Sequence, residues 1–305
     1  MNLKLISLIL IVPILTTFSK PTVTDKQEIA KHLQEISVTI RASDGYSSSE
    51  GSGVLISREI QGESVSFVWT CGHVIDHLRR VRTVIRHGNP IKIVEFPDVE
   101  IIKEIVERGR RVGEIKMDAK VLKYSDADTG EDLALLMVRA KDYAKDSAKF
   151  YLGDSNDGIV PIGTSLFHVG SLLGQKGANS MTTGIVSQVG RIYGKVEFDQ
   201  TTVTAFPGSS GGGVYLEDGQ YMGMLVRGAG ENFNLIVPIR RMIKWAHEHN
   251  IIWALNPKEP TPTMSEILDL PIESSGEERS SEVVNDKLLD FPFLIRETYE
   301  SESVE

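Results

Sequence analysis

A single cysteine, Cys71, occurs in this chain of 305 residues, and one cysteine excludes an internal disulfide framework. Stability must therefore come from a buried core, which a chain of this length can form. Lys and Arg residues do not cluster as they do on nucleic-acid-binding surfaces, so nucleic acid is not an expected partner. Because an H-E-x-x-H motif and a cysteine cluster are also missing, we expect neither a metal site nor a cofactor.

The chain begins with an apolar stretch, residues 5–15, that is shorter than the roughly 20 residues needed to span a membrane. Lys4 precedes this stretch, and Thr17 and Ser19 supply the small residues of a cleavage site. Together they predict a signal peptide over residues 1–19 and a secreted or periplasmic protein. The alternative is an uncleaved signal that anchors the protein in a membrane.

Acidic charge is concentrated at the other end of the chain. The net charge is −9, and residues 256–305 alone hold 13 Asp/Glu and 4 Lys/Arg, so the rest of the chain is close to neutral. Pro, Ser, Thr and acidic residues without periodicity predict a disordered acidic tail over 256–305. Its apolar cluster at 288–295 is either a partner-binding or self-docking segment, or a sticky patch without a partner.

Between these ends, short apolar runs alternate with Gly, Ser and Asp turns, as at 37–41, 51–56 and 65–70. This pattern predicts an all-β barrel or sandwich. The N-terminal segment, residues 20–35, contains a short helix predicted at 24–33. A possible helix lies around 99–108, and an amphipathic helix at 240–253 closes the body.

Residues 204–213 form a glycine-rich turn that places Ser210 between two strand-like runs. Glycines allow a sharp turn in which backbone N–H groups face one point. A serine there can attack a carbonyl while those N–H groups receive the developing negative charge. Taken alone, the stretch is equally typical of an ordinary glycine-rich hairpin. A phosphate loop is disfavoured because no Lys-Ser/Thr pair follows.

His73 and Asp132 supply what such a serine requires. His73 follows the strand predicted at 65–70, and Asp132 stands at the mouth of an apolar strand. A serine hydroxyl needs a base within hydrogen-bond reach, and the base needs a carboxylate that holds its tautomer. Taken alone, a histidine such as His73 more often has a structural than a catalytic role. Most of the Asp and Glu residues near Asp132 are turn formers. The order His, Asp, Ser on an all-β background indicates a catalytic triad.

The residues around these three resemble the chymotrypsin-like serine peptidases, and most closely their HtrA-like branch, which lacks disulfides. Residues 70–74 resemble that family's T-x-x-H-V, residues 132–136 its D-L-A-L strand, and residues 207–212 its P-G-N-S-G-G turn. Shorter matches occur at 183–187 and 235–239. The resemblance covers about residues 36–250. It implies two six-stranded antiparallel β-barrels within a protease domain at 36–255, with the site in the cleft between them.

The resemblance also implies a serine endopeptidase that cleaves polypeptides through an acyl-enzyme. His73 is then the general base, Asp132 orients it and Ser210 is the nucleophile. The N–H groups of Gly208 and Ser210 form the oxyanion hole. His73 and Asp132 would come from the first barrel, and Ser210 from the second.

Substrate binding is implied at two places. Val226, Arg227 and Gly228 resemble the edge segment that pairs with the substrate backbone as an added strand. Thr204 stands where trypsin carries the acid that selects Arg or Lys, so we expect a small or medium apolar side chain before the scissile bond. Ser209 replaces the aspartate that pairs with a newly cut N-terminus, so activation by propeptide cleavage is not expected.

Other functions remain open from the sequence. The peptide-binding PDZ domain that follows the protease in HtrA proteins is not expected in the acidic tail, which is the 50 residues after position 255. A catalytically silent peptide-binding protein with a protease fold is the main alternative. An interaction protein that works through its acidic tail and a non-peptidase acyl hydrolase are the others, and the oligomeric state is undetermined.

Overall fold

The structure is a computed structural model that describes residues 23–273 except 87–88, 108, 129, 153–157, 194 and 229–231. The predicted signal peptide and residues 274–305 lie outside this part. None of the described helices is both long and apolar enough to cross a membrane. The helices are α1 (Val23–Glu35), α2 (Ile239–Glu248) and α3 (Met264–Leu268). The strands are β1 (Ser37–Ser43), β2 (Ser48–Ile60), β3 (Glu63–Thr70), β4 (Arg80–Arg86), β5 (Asn89–Glu95), β6 (Val99–Glu107), β7 (Arg110–Ser125), β8 (Leu133–Lys141), β9 (Lys149–Phe150), β10 (Ser165–Gly170), β11 (Ser180–Tyr193), β12 (Val196–Thr201), β13 (Gly213–Leu216), β14 (Gln220–Gly228) and β15 (Asn234–Pro238).

The first half of the chain forms a closed barrel of six strands in the order β1-β2-β3-β8-β7-β6. The central strand β3 pairs antiparallel with both β2 and β8. Thr70 at the end of β3 lies opposite Ala134 near the start of β8. This register brings the residues after β3 next to the residues before β8. Strands β4 and β5 form a separate two-stranded sheet.

The second half forms a seven-stranded sheet in the order β13-β10-β11-β12-β15-β14-β9. Strand β13 also pairs with β14, so six of these strands follow one another in a closed ring. The two-residue strand β9 joins β14 in parallel as the seventh. The expected all-β fold is confirmed, and the second sheet has one more strand than predicted.

Helix α2 carries the chain from the second sheet back to the first barrel. Trp245 of α2 packs edge-on against Trp69 of β3, with ring centroids 6.0 Å apart. A single 3-10 turn, Ile252–Ala254, follows, and the indole N–H of Trp69 donates to Ala254 O at 3.1 Å. The predicted helix at 240–253 is shorter than expected, because Asn250 adopts a left-handed conformation (φ 57°) that ends it.

The prediction of a possible helix around 99–108 was wrong, since residues Val99–Glu107 form β6. Val99, Ile101 and Ile102 are buried in the first barrel, and β6 pairs antiparallel with β7. Ladder hydrogen bonds and packing decide the conformation of a segment whose local pattern fits either structure.

Residues 256–273 belong to the predicted disordered tail, but the structure packs them against the first barrel. Thr263 caps α3 through a capping box with Glu266, and Ile267 is fully buried. Further along, Tyr124 N donates to Ile272 O at 2.9 Å. One buried side chain, a helix cap and backbone hydrogen bonds thus order a stretch whose composition is polar.

The buried Ile267 and the half-exposed Leu268 provide a matched test of this docking. We expect Ile267→Ala to lower the free energy of unfolding by about 2–4 kcal/mol, because it leaves a cavity in the core. Leu268→Ala should cost no more than about 0.5 kcal/mol. Urea unfolding of both variants measures the difference. Equal, small losses would contradict the docked arrangement.

Candidate active site

His73 and Asp132 meet where β3 ends and β8 begins. His73 lies in a 3-10 turn (Gly72–Val74) directly after β3. Its Nδ1 lies 3.0 and 2.9 Å from the two carboxylate oxygens of Asp132, and its backbone N–H donates to Oδ1 at 2.9 Å. Gly72 makes this approach possible, because a Cβ at that position would overlap the carbonyl oxygen of Ser125.

The charge state of Asp132 fixes the tautomer of His73. Asp132 is 2% exposed. Burial by itself would raise its pKa, but the charge and hydrogen bonds of His73, with a smaller contribution from Arg227, hold the pKa below its usual value. The ionised carboxylate only accepts, so Nδ1 of His73 carries the proton and Nε2 is left as an acceptor.

Two arginines from the second half of the chain hold the loop that presents Asp132. Arg241 of α2, 7% exposed, donates to the backbone carbonyl of Glu131 at 2.9 Å and to its carboxylate at 2.8 Å. Arg227 of β14 donates to Ala127 O at 3.0 Å. Asp132 itself has a left-handed backbone (φ 55°), which is uncommon outside glycine and costs free energy. The arginine contacts help to maintain it.

Ser210 lies close to the turn of His73, at the seam where the first barrel meets the second sheet. The backbone N–H of Ser52, on β2, donates to Ser210 O at 2.7 Å. Gly51 lies between this carbonyl and Val74, the residue after His73: a Cβ on Gly51 would lie 2.6 Å from Val74 Cγ2 and 3.1 Å from Ser210 O. The structure therefore brings all three predicted triad residues to one seam.

The hydroxyl of Ser210 is directed to the second sheet. Its Oγ donates to Val226 O at 3.4 Å, a long and weak hydrogen bond. Among the described residues, no hydrogen bond joins Ser210 to the ring of His73. Catalytic hydrogen bonds are often long or unmade before substrate binds, and the long bond of Ser210 to Val226 O fits this pattern.

The turn before Ser210 leaves two backbone N–H groups without a hydrogen-bond acceptor among the described residues. Pro207 O accepts from Leu173 N at 2.6 Å, and Ser209 O accepts from Gly212 N at 2.9 Å. In a planar trans peptide the N–H points opposite to the carbonyl, so the N–H groups of Gly208 and Ser210 point away from those partners. Neither donates to another group in the described residues. Two unused N–H groups beside a serine can donate hydrogen bonds to an anionic oxygen.

The predicted substrate-binding residues lie on both sides of this turn. Thr204 is exposed, and its backbone carbonyl accepts from Thr182 Oγ1 at 3.0 Å. On β14, pairing with β13 ends at Met224, so the same edge of residues 226–228 carries no strand among the described residues. The Arg227 side chain points toward Ala127 and does not enter the predicted edge site. Substrate binding by these residues stays a prediction.

Cys71, His73 and Asp132 place potential ligand atoms within 4.8 Å of one another. Metal binding requires a thiolate and a free imidazole nitrogen. Burial, and next the charge of Asp132, raise the pKa of the Cys71 thiol well above its usual value, and its Sγ donates to Leu225 O at 3.4 Å. Both oxygens of Asp132 already accept from His73. The chemistry of this group fits a base and its orienting carboxylate better than a metal centre.

Two supporting residues were not identified from the sequence. The buried hydroxyl of Ser52 donates to Gly208 O at 2.6 Å and accepts from Ser171 N at 2.7 Å, so it ties the glycine turn to β2 and to the residue that follows β10. The Gly-Ser-Gly pattern around Ser52 was a signal for close backbone approach. Arg241 carries no such local signal, because its partner Glu131 is distant in sequence.

Comparisons with known proteins agree with this geometry. The family model described as trypsin-like peptidase domain matches residues 51–224, more than half of the chain. A serine protease Do-like HtrA from Lactobacillus helveticus is 28% identical over 181 residues, which cover 58% of this chain and 35% of that protein. The chain thus aligns with only about a third of that relative's length.

Two solved structures share the fold. The serine endoprotease from Yersinia pestis has a TM-score of 0.52 at 16% identity, over 77% of this chain and 68% of the other. Deg5 has a TM-score of 0.52 at 20% identity, over 76% of this chain and 97% of the other. At these identities the likeness establishes the expected chymotrypsin-like fold alone.

His168 packs behind the glycine turn and generates a pH prediction. Its ring is fully buried, Nδ1 donates to Gly213 O at 3.0 Å, and Nε2 has no partner in the described residues. Burial lowers its pKa from 6.5 to about 4. The unfolded chain therefore binds this proton first as the pH falls. The neutral His168 therefore makes its full contribution to the free energy of unfolding above about pH 6.5. That free energy falls by about 3 kcal/mol as the pH falls to about 4.

The variant His168→Gln keeps a donor for Gly213 but cannot titrate. Urea unfolding between pH 7 and pH 4 should show a shallower loss of stability in this variant than in the wild type. Parallel pH profiles of the two proteins would assign the acid sensitivity to other groups.

Proposed function

Because this chain belongs to the trypsin-like peptidase family, we propose that it is a serine endopeptidase of the HtrA-like kind that cleaves polypeptides through an acyl-enzyme on Ser210. The observation that carries the proposal is the convergence at one seam of a carboxylate-held imidazole, a serine and two free amides. An export signal at 1–19 would place this activity outside the cytoplasm.

The reaction follows from the protonation states of the site. Nε2 of His73 takes the proton of Ser210 Oγ as Oγ attacks the scissile carbonyl carbon, and the carbonyl electron pair moves to oxygen. The N–H groups of Gly208 and Ser210 bind that oxyanion, each worth roughly 10²–10³ in rate. The imidazolium, stabilised by Asp132, then protonates the leaving amine, and water repeats the sequence to release the acid.

A substrate strand would also prepare the nucleophile. Val226 O accepts the weak hydrogen bond of Ser210 in the free protein. A peptide added along residues 226–228 would offer its own N–H groups to this edge. Competition for Val226 O would release the Ser210 hydroxyl.

Thr204 is exposed and uncharged, so it would offer no charged partner to the substrate side chain that precedes the scissile bond.

A fluorophosphonate probe tests the nucleophile. We expect the probe to label the wild-type protein, Ser210→Ala to abolish labelling, and Ser165→Ala, an exposed serine on β10, to leave it unchanged. Intact-mass spectrometry and gel fluorescence measure the adduct. Folded wild-type protein that remains unlabelled would favour the catalytically silent peptide binder instead.

Asp132→Asn tests the orienting carboxylate. An amide at this position can donate to Nδ1 and so favours the wrong tautomer of His73, which in a Ser-His-Asp triad lowers kcat by about 10⁴. The KM should change little, because Asp132 is buried away from substrate. Asp128→Asn, an exposed acid of the same loop, is the matched control. Equal activity of both variants in a peptide-hydrolysis assay would remove Asp132 from the mechanism.

A further inference from the structure

The hairpin β4–β5 leaves an apolar face uncovered. It is a two-stranded sheet, and among the described residues it pairs with no other strand. In its register Val81 lies opposite Val94, and Ile85 lies opposite Pro90. Val81 is 48% exposed and Ile85 71% exposed. An isolated hairpin is marginally stable in water, and an exposed apolar patch typically marks a contact surface. We call Val81, Ile85, Pro90 and Val94 the exposed hairpin face.

The described chain ends at the base of this hairpin. Residues 268–273 run along β7, where Lys123 Nζ donates to Pro271 O at 2.9 Å and Tyr124 N donates to Ile272 O at 2.9 Å. Glu273 then pairs with Arg79, the residue immediately before β4, through two hydrogen bonds. The next 32 residues, 274–305, therefore start beside the exposed hairpin face.

Charge is complementary between these two parts of the chain. Residues 79–95 hold five Lys/Arg and one Glu, a net charge of +4, whereas residues 274–305 hold three Lys/Arg and nine Asp/Glu, a net charge of −6. Arg82 is already paired with Glu95. Arg80 and Lys92 form no ion pair with the described residues, so their charges are available.

We propose that the apolar segment 288–295 docks on the exposed hairpin face of the same molecule, with the acidic residues around it facing Lys92, which lies on the same face opposite Thr83. This segment holds Leu288, Leu289, Phe291, Phe293, Leu294 and Ile295. Pro292 cannot donate a backbone hydrogen bond, so the contact is made by side chains over the face and not by a continuous added strand.

The linker makes weak docking sufficient. Residues 274–287 can span at most about 50 Å, and a seven-residue strand is about 23 Å long, so the segment reaches the whole hairpin. A short tether gives an effective concentration of about 1 mM. A segment with an intrinsic Kd of about 0.1 mM is then bound about nine-tenths of the time.

Hydrogen exchange in the full chain tests the proposal. Docking at that occupancy should make opening of the hairpin about tenfold rarer. The amides of 80–86 and 89–95 that bond to the partner strand should therefore exchange about tenfold more slowly. The double variant Phe291→Ser/Phe293→Ser should lose this protection. The variant Val283→Ser/Val284→Ser, which changes apolar residues of the same tail outside the segment, should keep it. Equal exchange in all three proteins would overturn the proposal.

A reciprocal change on the hairpin separates self-docking from other occupants. Ile85→Asp should speed proteolytic cleavage after Lys287 and Arg296 about tenfold, whereas Ile192→Asp, at a 62% exposed position of β11, should not. Protection that disappears on 50-fold dilution, with dimers in native mass spectrometry, would assign the face to a second copy of the chain and refute docking within one molecule.

Discussion

The hydrogen bond from Ser52 N to Ser210 O at 2.7 Å joins strand β2 of the first barrel to the glycine turn of the second half of the chain. Ser52 also fixes Gly208 O and Ser171 N through its hydroxyl. The imidazole and carboxylate come from one barrel and the alcohol from the other. Their chemistry depends on this short polar seam, because each barrel would otherwise present only part of the site.

The seam works with a second constraint, the burial of Asp132. A carboxylate removed from water normally gains a proton, and a protonated acid could not hold Nδ1 of His73 as a donor. The charge and hydrogen bonds of His73, with Arg227 adding to them, reverse that tendency. Arg241 acts one residue earlier, at the backbone of Glu131. The second half of the chain thus contributes to the proposed base, His73, as well as to the proposed nucleophile, Ser210.

The all-β fold could be predicted from the sequence, and His73, Asp132 and Ser210 could be named as candidates, because short local sequence patterns indicate both. Gly72 and Gly208 occupy positions that exclude a side chain, and such positions are visible as motifs. Ser52 and Arg241 could not be identified, because their partners are 156 and 110 residues away along the chain. The order of residues 256–273 was missed for a related reason: Ile267 is one apolar residue in a polar stretch, and its burial is decided by the barrel surface it meets.

Ser209 stands where trypsin has an aspartate that forms an ion pair. Its own hydrogen bonds explain how the turn before Ser210 keeps its shape without that ion pair. Ser209 Oγ accepts from Phe206 N at 3.1 Å, and Ser209 N donates to Phe206 O at 2.9 Å, so this buried serine closes the turn on itself. Leu173 N and the hydroxyl of Ser52 fix the neighbouring carbonyls. Each contact is neutral and short in range. Among the described residues, neutral hydrogen bonds within the turn, from Leu173 and from Ser52 therefore hold the peptide groups around Gly208 and Ser210, without an ion pair at Ser209.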